Sequence, residues 1–316
     1  MEIPVFEDVL KAHDLIRKYI HRTPVLTSRS INQITGAEIF FKCENLQKTG
    51  AFKFRGACNA IFSLNEKDAQ KGVGTHSSGN HAAALAHAAS LRGIRSYIVM
   101  PSTAPEIKKK AVKGYGGEIT FCEPTLKARE STLQRIAREK GITIIHPYNN
   151  FKVIPGQGTA ALELMDEIKD LDLVMCPVGG GGLLSGTALS VKAINPGCKV
   201  IAAEPAGADD AYRSFHAGHI IPSVNPKTIA DGLLTSLGEI NYSIIREKVD
   251  DIVTVSEEAI IEAMRLVWER MKIIIEPSSA VPLAAVLEKK VNIKAIPRIG
   301  IILSGGNVDL GKLPFK

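Results

Sequence analysis

A lysine stands between two phenylalanines in Thr49-Gly50-Ala51-Phe52-Lys53-Phe54-Arg55-Gly56-Ala57, a stretch punctuated by glycines. Aromatic neighbours strip water from an ammonium, so its pKa falls and more neutral amine is available to attack a carbonyl. Lys53 is therefore a candidate for a Schiff base, although a lysine snorkelling from a helix start would read the same way. Further on, Gly179-Gly180-Gly181-Gly182 follows an apolar run and precedes a helical pattern beginning near Leu183. Backbone N–H groups in such a loop, with a helix N-terminus behind them, can cradle a phosphate. Ser304-Gly305-Gly306-Asn307 is a second loop of this kind at a strand end, where a hydroxyl could meet a ring nitrogen. His76-Ser77-Ser78-Gly79-Asn80-His81 gathers polar groups at a helix start, which suits either a bound carboxylate or a plain cap. Glu204, with Asp209 and Asp210 in the following loop, offers hard oxygens for a divalent cation or else solvated loop acids.

Two other chemistries fit poorly. His76 and His81 have no Cys, Asp or Glu partner nearby in sequence for a metal. The glycine loop with Glu204 beyond it resembles a dinucleotide-binding unit, but Leu184 and Ser185 occupy the third glycine positions, so G-x-G-x-x-G is absent.

The elements that must position these residues follow from periodicity. Short apolar runs alternate with longer helical patterns from about residue 70, as βαβ units do. His81 to Arg92 reads as an alanine-rich helix closed by Gly93, followed by a strand at Tyr97 to Met100. Helices are expected at Glu106 to Lys113 and Leu126 to Lys140, with β-like runs at Ile119 to Cys122 and Ile142 to Ile145. A second series starts near Phe151, where Gly156-Gln157-Gly158-Thr159 is expected to open a helix reaching about Lys169. Leu171 to Val178, Lys199 to Ala203 and Ile299 to Leu303 read as strands, and Glu257 to Met271 as a helix. Two α/β lobes with a ligand cleft between them are the simplest packing.

Composition narrows the class. A chain of 316 residues that is 45% hydrophobic can bury a large core. Its net charge of +6 is spread over interleaved acids and bases with no basic stripe, which argues against a nucleic-acid surface. Lys108-Lys109-Lys110 reads as a solvated helix face. Cys43, Cys58, Cys122, Cys176 and Cys198 are widely spaced with no C-x-x-C pair, so reduced thiols and a cytoplasmic setting are expected. Acids near the N-terminus and the lack of a membrane-length apolar run point away from a signal peptide and a membrane span.

Together these residues resemble the pyridoxal-phosphate enzymes of the serine racemase and threonine dehydratase type, nearly end to end. The landmarks are Lys48 to Ala57, His76 to His81, Pro155 to Thr159, Gly179 to Leu183, Ala203 to Asp210, Ile229 to Gly232, Ile275-Glu276-Pro277 and Leu303 to Leu310. Serine racemases and threo-3-hydroxyaspartate dehydratases look nearest, through Ala230-Asp231-Gly232 and Ser304 to Leu310. The resemblance implies the two-lobed, parallel-sheet α/β fold of the tryptophan synthase β-like class, fold type II. Residues 1–71 and 150–316 would form a large cofactor-binding domain, and 72–149 a small domain closing over substrate.

The same resemblance implies a site. Lys53 would carry pyridoxal phosphate and act as general base, with Phe52 packed on the ring, Asn80 on its 3-hydroxyl oxygen and Ser304 facing its nitrogen. Gly179, Gly180, Gly181 and Gly182 would hold the phosphate. Ser77, Ser78, Asn80 and His81 would meet the substrate, with Ser78 as proton donor on the opposite face, and Arg129 would approach from the smaller lobe. Glu204, the Ala208 carbonyl and Asp210 would bind magnesium, or else calcium or manganese. The implied activity is an ammonia-lyase acting on 3-hydroxyaspartate, serine or threonine, with serine racemase as the alternative. A homodimer and a nucleotide effector are further implications, and feedback by isoleucine is not expected. Ala51 stands where the family usually has serine, and Ala82-Ala83 where it has glycine and glutamine, so substrate range is the property most exposed.

Overall fold

The computed structural model describes residues 2–291 and 298–315. Its strands are β1 (Val25–Thr27), β2 (Glu38–Cys43), β3 (Val73–His76), β4 (Ser96–Pro101), β5 (Glu118–Cys122), β6 (Thr143–Ile144), β7 (Leu173–Pro177), β8 (Lys199–Pro205), β9 (Asp251–Val255) and β10 (Arg298–Leu303). They form two sheets, one of six strands in the order β1-β2-β10-β7-β8-β9 and one of four in the order β5-β4-β3-β6. Every pairing is parallel except that of β1 with β2.

Successive side chains of a strand point to opposite faces, and a parallel sheet covered on both faces needs apolar residues at every position. In the larger sheet Phe41, Met175, Ile201 and Ile301 face the helices Glu257–Met271 and Pro277–Leu287. Their neighbours Phe40, Val174, Val200 and Ile302 face the helices Val153–Glu167 and Gly182–Ile194. The smaller sheet divides likewise, Ile98 and Met100 packing on the alanine-rich helix Asn80–Arg92 and Tyr97 and Val99 on the helix Leu126–Lys140.

The helix expected to open at Gly156 begins at Val153 and ends at Glu167. Its glycines are packing surfaces, not a helix start. A methyl on Gly156 would lie 2.6 Å from the Cα of Gly56, so the two glycines let the helix Lys53–Phe62 approach backbone to backbone. The Gln157 side chain then accepts the Gly56 N–H at 3.1 Å.

The loops that leave the carboxyl ends of β3, β7, β8 and β10 contain Ser77, Gly179, Ala208 and Ser304. Ligands of α/β sheets bind at such ends.

Candidate active site

Lys53 is the first residue of its helix, and no side chain caps that end. Its amine donates to the carbonyl of Pro147 at 3.0 Å, and lies 5.1 Å from the ring centre of Phe52 and 6.0 Å from that of Tyr148. Burial lowers its pKa from 10.5 to about 8, against the opposing pull of Glu276. Phe54, the other expected neighbour, turns into the core and stacks on His87. One residue further along a helix is about 100° round the axis, so only one of two flanking aromatics can face the amine.

Tyr148 joins this amine to the glycine loop. A side chain on Gly180 would run into the Tyr148 ring, and one at Gly181, where φ is +89°, would meet Asn241. Asn241 Nδ2 donates to the Gly180 carbonyl at 2.7 Å and Gly238 N–H at 3.2 Å, which holds the loop with its carbonyl turned away. The N–H groups of Gly179 to Gly182 find no protein acceptor among the described residues, at the mouth of the helix Gly182–Ile194. Unpaired N–H groups on a helix N-terminus are an anion cradle.

Ser304 reaches the same place through β10, because its carbonyl accepts the Phe52 N–H at 2.9 Å. Its hydroxyl, buried, lies 3.1 Å from that of Ser279.

The loop of Ser77 and Ser78 is half-buried and is tied across the cleft by Asn80. The Asn80 amide donates to both oxygens of Glu276 at 3.0 Å and accepts from Asn307 Nδ2 at 3.0 Å. Burial pushes the Glu276 carboxyl up to about 7, with the Asn80 hydrogen bonds working against it. His81 is buried with neither ring nitrogen in a close hydrogen bond among the described residues, and burial first, then Lys53, hold its pKa well below the ordinary value against a weak pull from the Ile145 backbone, so it is neutral. His146 is likewise held down to about 4, and its Nδ1 accepts the N–H groups of Tyr148 and Asn149. Arg129 is half-buried with its Nε unpaired among the described residues, and its charge helps to lower the pKa of His76 after burial.

An amine poised near neutrality, a glycine cradle of unpaired N–H groups and a buried hydroxyl pair fit pyridoxal phosphate. The family model described as pyridoxal-phosphate dependent enzyme matches residues 16–305. The chain belongs to that family, in fold type II. A serine racemase of Dictyostelium discoideum is 54% identical over 99% of this chain and 98% of its own. Its crystal structure superposes with a TM-score of 0.94, covering 97% of this chain and 99% of that one. The beta-hydroxyaspartate dehydratase of Paracoccus denitrificans is 52% identical over the whole of both chains. The crystal structure of a threonine deaminase from T.th. is 44% identical with a TM-score of 0.92, covering 97% of this chain and 99% of that one.

In this fold-type II enzyme the acids Glu204, Asp209 and Asp210 stand at the carboxyl end of β8 and in the turn that follows it. Glu204 is buried and caps the helix Asp210–Ala217, accepting the N–H groups of Ala211 at 3.2 Å and Tyr212 at 2.9 Å. Burial still pushes it up to about 9 and Asp210 up to about 6. Both Asp210 oxygens are buried and make no close hydrogen bond among the described residues, although the Ser223 side chain and the Leu237 backbone lie near enough to oppose the upward push of burial, and Ala208 is buried in the turn between the acids. Asp209 turns outward to pair with Arg213 at 2.8 Å. No cluster of three or more His, Cys, Asp or Glu exists among the described residues, so a cation here would need backbone and water oxygens as well.

Sequence reading missed Tyr148, Asn241, Ser279, Glu276 as a partner of Asn80, and His146. Asn241 and Glu276 act on residues 61 and 196 positions away, and none of the five carries a local signal. The Lys108 of the expected solvated face in fact pairs with Asp231 across the cleft, while Lys109 pairs with Glu106 on its own helix.

Proposed function

We propose that this enzyme is an ammonia-lyase that converts a small 3-hydroxy amino acid, with 3-hydroxyaspartate first, to a 2-oxo acid and ammonia. The observation that carries this is the Lys53 amine, poised near pH 8 beside the glycine cradle. The 52% identity to a beta-hydroxyaspartate dehydratase supports the substrate class. Pyridoxal phosphate held by Lys53, Gly179 to Gly182 and Ser304 would supply the electron sink that makes the substrate's α-hydrogen acidic. Lys53 then takes that hydrogen as general base, since an amine with pKa about 8 is partly neutral at working pH. The residues Ser77 to His81, at a helix N-terminus, hold the substrate carboxylate. Neutral His81 and His146 add no competing positive charge beside Lys53. Phe52 covers one face of the ring; the β-hydroxyl takes up a proton and leaves as water, and the enamine released then tautomerises and adds water to give the 2-oxo acid and ammonia.

Racemisation of serine is the second reading, favoured by the 54% identity to a serine racemase. There Ser78, half-buried in the same loop, returns a proton from the opposite face. The deciding experiment is 2-oxo acid release, comparing kcat/KM for L-threo-3-hydroxyaspartate and L-serine, with D-serine assayed alongside. A ratio well above one supports the first reading, and a ratio below one with D-serine formed supports the second.

Arg129 is the clamp for the second carboxylate, which serine and threonine lack, because a guanidinium with an unpaired Nε can bind it in two-pronged fashion. Arg129→Ala is expected to lower kcat/KM for 3-hydroxyaspartate about 10- to 100-fold, the worth of a hydrogen bond to a charged group, and to spare serine. Equal losses on both substrates remove the clamp.

Glu204, the Ala208 carbonyl and Asp210 hold a magnesium, calcium or manganese ion, which would give the buried Asp210 oxygens the close partner that the described residues do not supply. Millimolar magnesium is expected to raise the melting temperature, by about 2.7 kcal/mol of stability at a hundredfold excess over Kd. Glu204→Gln with Asp210→Asn should melt at one temperature with or without the ion, and a magnesium shift surviving in that variant places the ion elsewhere.

Residues 1–71 and 150–316 are the large lobe, and 72–149 the lobe that closes, with Asn80 and Lys108 reaching across. The enzyme is a cytoplasmic homodimer whose five cysteines stay reduced. A nucleotide effector occupies the cleft of about 680 Å³ lined by Thr49, Lys108, Tyr115 and Asn307.

A further inference from the structure

His146 stands just after β6 and one residue before Pro147, whose carbonyl accepts the Lys53 amine at 3.0 Å. Its Nδ1 accepts two backbone N–H groups, that of Asn149 at 3.0 Å and that of Tyr148 at 3.4 Å. A backbone N–H always donates, so Nδ1 carries no hydrogen, and in the neutral ring the hydrogen sits on Nε2. The ring is neutral because burial, then His76 and Lys53, hold its pKa down to about 4. It meets the rings of His76 and Tyr148 edge to face, with centroids 5.7 and 4.6 Å apart. Nε2 lies across the ring from the turn that Nδ1 caps, and its N–H finds no acceptor among the described residues.

The surroundings decide what that N–H meets. Lys53 and His76 act on His146, and Arg129 acts on His76 in turn, with the exposed Glu130 opposing it. Two cations and two neutral imidazoles therefore border the space between the amine and the smaller lobe. A substrate bound at Lys53 by its amine and at Ser77 to His81 by its α-carboxylate has only the groups on its β-carbon left for this space. An uncharged donor beside a guanidinium suits a carboxylate, whose two oxygens offer about four lone-pair sites and accept from both at once.

We propose, on the reading that 3-hydroxyaspartate is the substrate, that His146 is a specificity-determining residue whose Nε2–H donates to the distal carboxylate, which it shares with Arg129. Serine has no such carboxylate, and threonine has a methyl in its place. His146 therefore acts on the choice between substrates and not on removal of the α-hydrogen, which all three share.

The test begins with holoenzyme carrying nitrogen-15 in its histidine rings, the His146 resonances being those lost in His146→Asn. Wild type is expected to show a bare Nδ1 and a hydrogen-bearing Nε2 from about pH 6 to 9. Succinate, which has the carbon skeleton and both carboxylates of 3-hydroxyaspartate without its amine, should move the Nε2–H resonance, and acetate at the same concentration should not. A hydrogen on Nδ1, or an Nε2–H indifferent to succinate, overturns the proposal. Kinetics supply the second arm. The amide oxygen of His146→Asn takes over the accepting role of Nδ1 in the turn but puts no donor at Nε2, whereas His146→Gln places an N–H near Nε2. His146→Asn should lower kcat/KM for L-threo-3-hydroxyaspartate about tenfold more than that for L-serine, the worth of a hydrogen bond to a charged group. His146→Gln should hold the ratio of the two near that of wild type. Equal losses on both substrates in His146→Asn, as a structural role would give, sink the proposal, and so does no loss at all. If His146→Asn does not load cofactor, the succinate titration of wild type decides. A wild type that prefers serine while succinate still moves Nε2–H refutes the substrate reading and keeps the carboxylate contact; a preference for 3-hydroxyaspartate with a silent His146 does the reverse.

Discussion

Lys53→Ala should yield a colourless protein that no longer releases 2-oxo acid, with activity down at least about 1000-fold, within the range for removing a positioned general base. The variant should still fold. Among the described residues the Lys53 amine makes one hydrogen bond, to the Pro147 carbonyl, and its burial opposes its charge. Removing it therefore costs the scaffold little, and circular dichroism and melting should resemble wild type. The pH dependence follows from the same burial. Because the pKa is lowered from 10.5 to about 8, the reactive neutral amine accumulates as pH rises and is the major form above about 8. Cofactor uptake by stripped protein, followed by the yellow absorption, should accelerate with pH up to that point and then level off. A yellow Lys53→Ala protein would move the Schiff base to another lysine and remove the basis of the proposed function.

Arg55→Met is expected to cost about 3–5 kcal/mol of stability, the loss that follows when a buried ion pair is broken by removing one partner. Arg55 lies two residues after Lys53, with its side chain fully buried. Its guanidinium grips Glu44 at 2.7 and 2.8 Å and Glu163 at 2.8 Å through two nitrogens, and donates to Thr159 at 3.1 Å. Lys42 completes the cluster, bonding Glu163 and the Thr23 carbonyl at 2.7 Å each. Two cations and two carboxylates thus neutralise one another in a dry interior. Methionine fills the volume but strands Glu44 without a cationic partner and leaves Glu163 with Lys42 alone. Melting should drop by about 5–8 °C, given the usual entropy of unfolding at this size. Adding Glu44→Gln should recover part of the loss, since neighbouring changes do not add. An additive double variant would show that the charges are not coupled.

Acid should expose the same cluster. Burial tends to raise the Glu163 carboxyl, but Arg55 and Lys42 outweigh it and hold its pKa below the ordinary 4.5. A carboxyl lowered in the folded state adds stability above its unfolded pKa and loses it as pH falls through the folded one. This contribution should therefore be intact above about pH 4.5 and fade below it.

Local chemistry was legible in the sequence where it depends on residues close together along the chain. Leu126–Lys140 and Glu257–Met271 have the limits that apolar periodicity and flanking cap residues suggest. Gly179 to Gly182 lies between a strand and a helix as expected. The Gly156 segment misled because a glycine in sequence looks the same whether it opens a helix or lets two helices touch. Phe54 misled because adjacency along the chain is not adjacency in space once a helix turns.

The amino-acid sequence by itself determined the family, the alternation of strands and helices, the lysine and the loops that would hold a phosphate, because each is written in residues within one turn or one loop. Only the tertiary structure decided how that lysine is tuned and held. Its pKa depends on burial beneath Pro147 and Tyr148. Its helix rests on a salt-bridge cluster drawn from Lys42, Glu44 and Glu163. The side-chain partner of the Ser304 hydroxyl is Ser279, 25 residues earlier. Desolvation and hydrogen-bond direction are properties of a packed interior, and they exist only after distant segments have come together.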